Sequence, residues 1–195
     1  MITEIKEIKK YALDNQVPIM TDEGIDFLTN FIVDKNINKV LEVGTAIGYS
    51  AIMMALTNPN LVITTIERDE ERYLEALKNV KKIGLEKRIN LIFNDALDVE
   101  IKDKDYDLVF IDAAKGQNIR FFEKFTNNLK TGGYVITDNI YFHGLVDHPE
   151  SIESRNLRQL VKKIKNYIQY LENNKDYCTE IIRVGDGISV SCKKV

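Results

Sequence analysis

Asp112, Lys115, Asp138 and Asn139 are the residues of this chain whose types and spacing suggest chemistry. The apolar run Val109-Phe110-Ile111 meets Asp112, and Lys115 follows Ala113-Ala114. One strand–helix unit later, Tyr134-Val135-Ile136-Thr137 meets Asp138-Asn139. Both acids thus end buried strands, at the sheet edge where open α/β folds bind ligands. Two carboxylates and an amide offer hard oxygens to magnesium or another divalent cation. Such a cation acidifies a bound substrate hydroxyl and fixes its direction. Lys115 can take the proton once the adjacent charge favours its neutral form. The plainer alternatives are acids that cap loops and a solvated lysine at a helix start. A lysine is unfavourable at that end of a helix, which argues for another purpose.

A sheet must hold these residues, and the chain patterns one. Ile2, Ile5, Ile8 and Ala12 recur at helical spacing, Val17-Pro18 breaks the run, and Thr21-Asp22-Glu23 caps a second helix carrying Ile25, Leu28, Phe31 and Ile32. From Lys39 the rhythm is strand, turn, helix. Strands are predicted over 40–43, 61–66, 89–93 and 106–111, with a fifth entered through a sharp turn at Gly132-Gly133. Helices are predicted over 48–56 and 116–129. Between them lies one capped by Asp69, closed by Gly84, with Tyr73, Leu77 and Val80 inward. Phe121, Phe122 and Phe125 read as core or interface. Alternation of strand and helix implies parallel pairing with right-handed crossovers. The end differs: a helix over 152–171, then strands over 177–184 and 188–192 joined by Gly185-Asp186-Gly187, which permits a tight hairpin. The expected fold is α/β, a mostly parallel, seven-stranded, Rossmann-like sheet with helices on both faces and a C-terminal antiparallel hairpin. It forms one domain over 1–195, with helices in 1–36 preceding a core in 37–195.

Composition narrows the partners. A net charge of −3 gives no global attraction to nucleic acid or anionic membranes. Arg155, Arg158, Lys162 and Lys165 fall on one stripe of the long helix, either a track for a phosphate backbone or a solvated face. Cys178 and Cys192 lack metal spacing and read as small buried thiols in a reducing compartment. The first residues lack the apolar centre of a signal peptide, and no apolar run reaches membrane-spanning length. A cytoplasmic protein without membrane contact is expected.

The loop Glu42-Val43-Gly44-Thr45-Ala46-Ile47-Gly48 joins the first strand to its helix. Gly44 lets backbone approach a ligand. Glu67 ends the second strand, where a carboxylate can accept from both ribose hydroxyls. Asp95-Ala96 follows the third strand, placed to meet an adenine. Ala46 departs from the glycine pattern of dinucleotide sites, which disfavours a nicotinamide cofactor. A nucleoside without pyrophosphate, S-adenosylmethionine, fits better.

On Asp112-Ala113-Ala114-Lys115 and Asp138-Asn139, residues 16–192 resemble the cation-dependent O-methyltransferases of the catechol and caffeoyl-CoA type. Val17-Pro18-Ile19-Met20, Gly44-Thr45-Ala46-Ile47-Gly48-Tyr49-Ser50-Ala51, Lys115-Gly116-Gln117 and Val184-Gly185-Asp186-Gly187 are similar to the bacterial tRNA 5-hydroxyuridine methyltransferases. The resemblance implies a class I methyltransferase fold and S-adenosylmethionine contacts from Met20, Ser50, Glu67, Asp95, Ala96 and Asp112. It implies magnesium on Asp112, Asp138 and Asn139. It further implies methylation of the wobble 5-hydroxyuridine of tRNA to 5-methoxyuridine, by a homodimer. Two other readings stand beside it: the same chemistry on a small catechol-like or CoA-linked phenol, and a non-catalytic nucleoside-binding module. His143 and His148 read as loop residues, with a substrate contact as the alternative for His143.

Overall fold

The computed structural model describes residues 2–148, 150 and 152–195. Strands β1 (Lys39–Val43), β2 (Val62–Glu67), β3 (Ile89–Phe93), β4 (Tyr106–Ile111) and β5 (Leu129–Asp138) pair in parallel. Strands β6 (Tyr177–Ile182) and β7 (Ile188–Lys193) form an antiparallel hairpin, with β7 laid against β5. The order across the sheet is β3-β2-β1-β4-β5-β7-β6. Winding therefore reverses between β1 and β4, and a crevice opens at their carboxyl ends. Both strands are buried without alternation because both of their faces are covered: Val40, Leu41, Val43 and Leu108 through Ile111 have no exposed surface.

One face is covered by α1 (Ile2–Asp14), α2 (Asp22–Asp34), α3 (Tyr49–Thr57) and α4 (Glu70–Ile83). The other is covered by α5 (Asn118–Phe125) and α6 (Arg155–Asn173). The predicted caps form: Thr21 Oγ1 accepts from Gly24 N at 3.2 Å, Asp69 Oδ1 accepts from Arg72 N at 3.0 Å, and Gly84 ends α4 at φ 77°. Phe121, Phe122 and Phe125 are core. Tyr167 of α6, fully buried, hydrogen-bonds Thr137 Oγ1 at 2.7 Å and so pins β5 one residue before Asp138. Of the described residues between β5 and α6, Val146 and Ile152 pack against Val161 and Ile164. Pro149 and Ser151 lie outside the described residues. Among the described residues, no helix is long and apolar enough to cross a membrane.

Four expectations need correction. The helix expected over 116–129 divides into a 3-10 turn at Lys115–Gln117, α5, and a second 3-10 turn at Thr126–Asn128. Thr126 Oγ1 and Asn127 Nδ2 bond back to the carbonyls of Phe122 and Glu123, side-chain bonds that compete with the continuing helix. Leu129, which keeps helical spacing, is the first residue of β5. Gly132-Gly133 is not a turn but a bulge inside β5, where Tyr106 faces Leu129 while Leu108 faces Tyr134. A Cβ on Gly133 would fall 2.8 Å from Leu129 Cδ1. Leu77 points outward at 39% exposure. Asn79 takes the inward face instead, because its Nδ2 donates to Ile47 O at 3.0 Å. Finally, Cys178 is exposed and only Cys192, opposite it in the hairpin, is half-buried.

Candidate active site

A cleft of about 390 Å³ lies at the carboxyl ends of β1, β2, β4 and β5. Gly44 forms its floor at φ 104°, where a Cβ would fall 2.4 Å from Asp112 O. Asp112 N donates to Val43 O at 2.9 Å, so the two strand ends are in direct contact. Only glycine allows this approach. Ala46 also adopts a left-handed conformation, φ 46°, and its N–H donates to Glu67 Oε2 at 2.7 Å. Glu67 Oε1 accepts from Arg68 N and Asp69 N, each at 2.9 Å. Glu67 is therefore first the clasp of the glycine loop. A carboxylate has about four lone-pair positions, which leaves about one for a ligand hydroxyl.

Glu67, Asp95, Ala96 and Asp112 line this cleft with Gly44. Asp95 Oδ1 accepts from Leu97 N at 2.8 Å, and Oδ2 stands 3.3 Å from Arg68. The Leu97 N–H, opposed by partial burial and helped by Arg68, holds its carboxyl below the usual range. Met20 and Ser50 are placed differently. Met20 is core, 5% exposed, while its neighbours Pro18 and Ile19 line the cleft. Ser50 Oγ donates to Glu42 Oε1, inside the protein.

Asp112, Lys115 and Asn139 line the cleft too, with Asp138 buried directly beneath at 4% exposure. Lys115 Nζ lies 2.6 Å from Asp112 Oδ1 and donates to Asp138 O at 3.3 Å. The Asp138 carboxyl is pushed up to about 7, by burial first and by the Asp112 charge second, with Lys115 opposing. Two acids sharing a buried corner create a demand for positive charge, which Lys115 meets in part. Among the described residues no three His, Cys, Asp or Glu side chains make a metal-holding group. The set is two carboxylates and the Asn139 amide. Three hard oxygens around an acid pair short of positive charge fit a magnesium-type ion.

Several residues at the site escaped sequence reasoning. Arg68 and Arg72 line the cleft; Arg68 directly follows Glu67 in sequence, but nothing marked Arg72. Lys163 of α6 reaches the Lys115–Gln117 turn: a Cβ on Gly116 would sit 3.4 Å from Lys163 Cδ. At about 100° per residue, Arg155, Arg158, Lys162 and Lys165 lie on another flank of α6, turned from this turn. Arg158 Nε donates to Ile152 O at 2.7 Å, and Lys165 is half-buried. Arg155 and Lys162 are exposed. His143 is exposed, 3.1 Å from Asp186, and His148 is also exposed. A second groove, about 480 Å³, opens at the far end of the sheet. Two of its three cations are spent, Lys39 on Asp103 and Arg88 on the carbonyls of Ala55 and Asn58.

Residues 1–195 match the family described as O-methyltransferase. The chain belongs to that family of S-adenosylmethionine-dependent enzymes. A caffeoyl-CoA O-methyltransferase of Populus kitakamiensis is 28% identical over 204 residues, spanning 100% of this chain and 86% of its own. A Staphylococcus aureus protein, provisionally assigned as a caffeoyl-CoA O-methyltransferase, superposes with a TM-score of 0.93 at 38% identity, over 97% of this chain and 91% of its own. An O-methyltransferase from Bacillus cereus, solved in complex with SAH, shares the fold with a TM-score of 0.86 at 21% identity, over 98% of this chain and 91% of its own.

Proposed function

We propose that this chain methylates a ring hydroxyl that has a second oxygen beside it, and that the hydroxyl is the 5-OH of 5-hydroxyuridine at the tRNA wobble position. The observation that carries the chemistry is the Asp112–Lys115 pair beside buried Asp138, in the same cleft as Glu67 and Asp95. Gly44, Glu67, Asp95 and Ala96 hold S-adenosylmethionine, with Asp112 between it and the acceptor; Ser50 supports the glycine loop from behind through Glu42. Asp112, Asp138 and Asn139 hold magnesium, which when bound acidifies the acceptor hydroxyl. Lys115, as the neutral amine, takes the hydroxyl proton at Nζ. The oxygen then forms its bond to the methyl carbon as the carbon–sulfur bond breaks, leaving S-adenosylhomocysteine. Alignment in the cleft supplies roughly 7–11 kcal/mol for well-oriented reactants.

Support for a nucleic-acid substrate comes from Arg72 at the cleft and Lys163 against the neighbouring Lys115–Gln117 turn in an acidic protein, with the Arg155–Lys165 stripe as a second contact for tRNA. The homodimer of this reading is supported by Ile2 and Leu13 of α1, 76% and 79% exposed. A second reading, a CoA-linked or catechol-like phenol, is favoured by what the relatives are named for. Nucleoside mass spectrometry of tRNA from cells lacking the gene decides: 5-methoxyuridine vanishes and 5-hydroxyuridine accumulates. Unchanged 5-methoxyuridine, with methylation of caffeoyl-CoA by the purified enzyme, establishes the second reading.

A further inference from the structure

The turn between β6 and β7 reaches back to the donor set. Gly185 and Gly187 are left-handed, φ 54° and 85°. A Cβ on Gly187 would fall 2.1 Å from the Tyr141 ring, so only glycine lets the turn come this close. Asp186 O accepts from Tyr141 N at 2.9 Å, and Gly187 O accepts from Ile140 N at 3.0 Å. The Asp186 carboxylate, 13% exposed, adds three contacts. Its Oδ1 accepts from His143 N at 2.6 Å. Its Oδ2 lies 3.1 Å from His143 Nδ1 and accepts from Asn139 Nδ2 at 3.3 Å.

The last contact has a chemical consequence. The two ends of an amide are nearly the same shape but opposite in hydrogen-bonding sense. An ionised carboxylate only accepts, so Asp186 admits the Nδ2 end and refuses the oxygen. Asn139 lines the cleft, and Oδ1 is the atom left to it. Asn139 itself sits at φ 59°, a left-handed conformation that asparagine tolerates better than most residues. We propose that Asp186 is a positioning residue: it orients the Asn139 amide so that oxygen, not NH2, joins Asp112 and Asp138, and it ties the following loop to the same point through His143. The inference rests on the reading of Asp112, Asp138 and Asn139 as cation donors.

The test is a titration of the purified full chain with Mn2+, in the presence of S-adenosylhomocysteine, read by electron paramagnetic resonance. Asp186→Ala weakens Mn2+ binding about 10–100-fold, as removal of such an outer partner does, and leaves the S-adenosylhomocysteine affinity within about twofold. The second arm uses Asn139→Asp, in which both ends of residue 139 are oxygen and orientation no longer matters. In that background Asp186→Ala leaves Mn2+ binding unchanged or tightens it, because a neighbouring negative charge is gone. Equal weakening in both backgrounds overturns the inference and marks Asp186 as general scaffolding. Unchanged Mn2+ affinity in the single variant also overturns it. A wild-type chain that binds no Mn2+ removes the metal reading and this inference together.

Discussion

Glu42 on β1 and Asp138 at the end of β5 are two buried acids, two strands apart in one sheet, and both carboxyls are pushed up to about 7. The causes differ. Glu42 is wholly buried, and burial dominates. Ser50 Oγ and Thr65 Oγ1 donate to its two oxygens, and Thr65 in turn contacts Thr45. Its polarity is settled inside the protein, where it staples α3 and β2 to β1. Asp138 faces a second acid, Asp112, and Lys115 and the Asn139 N–H oppose the repulsion. A buried charge normally finds its partners within the fold. Where it meets a like charge at a cleft instead, the fold is carrying a cost for which chemistry is the ordinary reason.

The strongest way to break this comparison is Asp138→Ala. Turnover falls about 10³-fold, the scale of several kcal/mol that a bound cation supplies, while binding of S-adenosylhomocysteine by calorimetry is largely kept. Full activity of the wild type in EDTA rejects the metal role. The sign of the pH effect follows from the raised carboxyl. Between its unfolded value, 3.8, and about 7, the native state holds a proton that the unfolded chain has lost. Stability conferred at low pH is thus lost as pH rises through this window, and the penalty is complete above it. Magnesium relieves the penalty, so it raises the melting temperature more at pH 8 than at pH 5.5. An equal increment at both values contradicts the acid-pair account.

Lys115→Ala comes next, with a loss of about 10²-fold at neutral pH, the lower end for a positioned proton acceptor. The loss deepens at mildly acidic pH, where the substrate hydroxyl ionises least without help. A loss uniform across pH assigns Lys115 to positioning. Glu67→Ala follows: three N–H groups lose their acceptor and the glycine loop loosens. The dissociation constant of S-adenosylhomocysteine rises about 30-fold, roughly 2 kcal/mol at ~1.4 kcal/mol per tenfold. An unchanged constant contradicts the clasp.

Sequence alone placed the acids because a strand buried on both faces is an apolar run, and its end is visible where Asp112 or Asp138 breaks it. The caps at Thr21 and Asp69 were legible because their partners are three residues away. What was hidden depends on contacts far apart in the chain. The outward turn of Leu77 follows from Asn79 reaching Ile47, and the course of β5 past Gly132 follows from its register with β4. That Glu67 also clasps the glycine loop was hidden because nothing local announces that Ala46, 21 residues earlier, returns to it. Asp186 stands 47 residues from Asn139, and its Gly-Asp-Gly setting reads simply as a hairpin. Lys163 lies off the stripe of like charges, and the flank of α6 that meets the Lys115–Gln117 turn is set by the packing of Leu160 near Gly116.

The smallest effect sharpens the comparison from its other side. Glu42→Gln keeps the shape and lets one hydroxyl accept while the other donates. Catalysis stays within a few-fold of wild type, since Glu42 meets neither cleft nor substrate. What changes is the dependence of metal-free stability on pH. Glu42 is lifted above its unfolded value, 4.5, so the wild type loses stability as pH rises from there to about 7. The slope from one such group is at most about 1.4 kcal/mol per pH unit, and the glutamine variant removes that share of the decline. Denaturant melts at half-unit steps of pH measure it. Magnesium should leave the difference between variant and wild type largely untouched, because the Asp112 charge ranks behind burial and two hydroxyl hydrogen bonds at Glu42, whereas it ranks second at Asp138. If magnesium erases the difference, Glu42 titrates with the cleft acids, and the division between a structural acid and a chemical one fails.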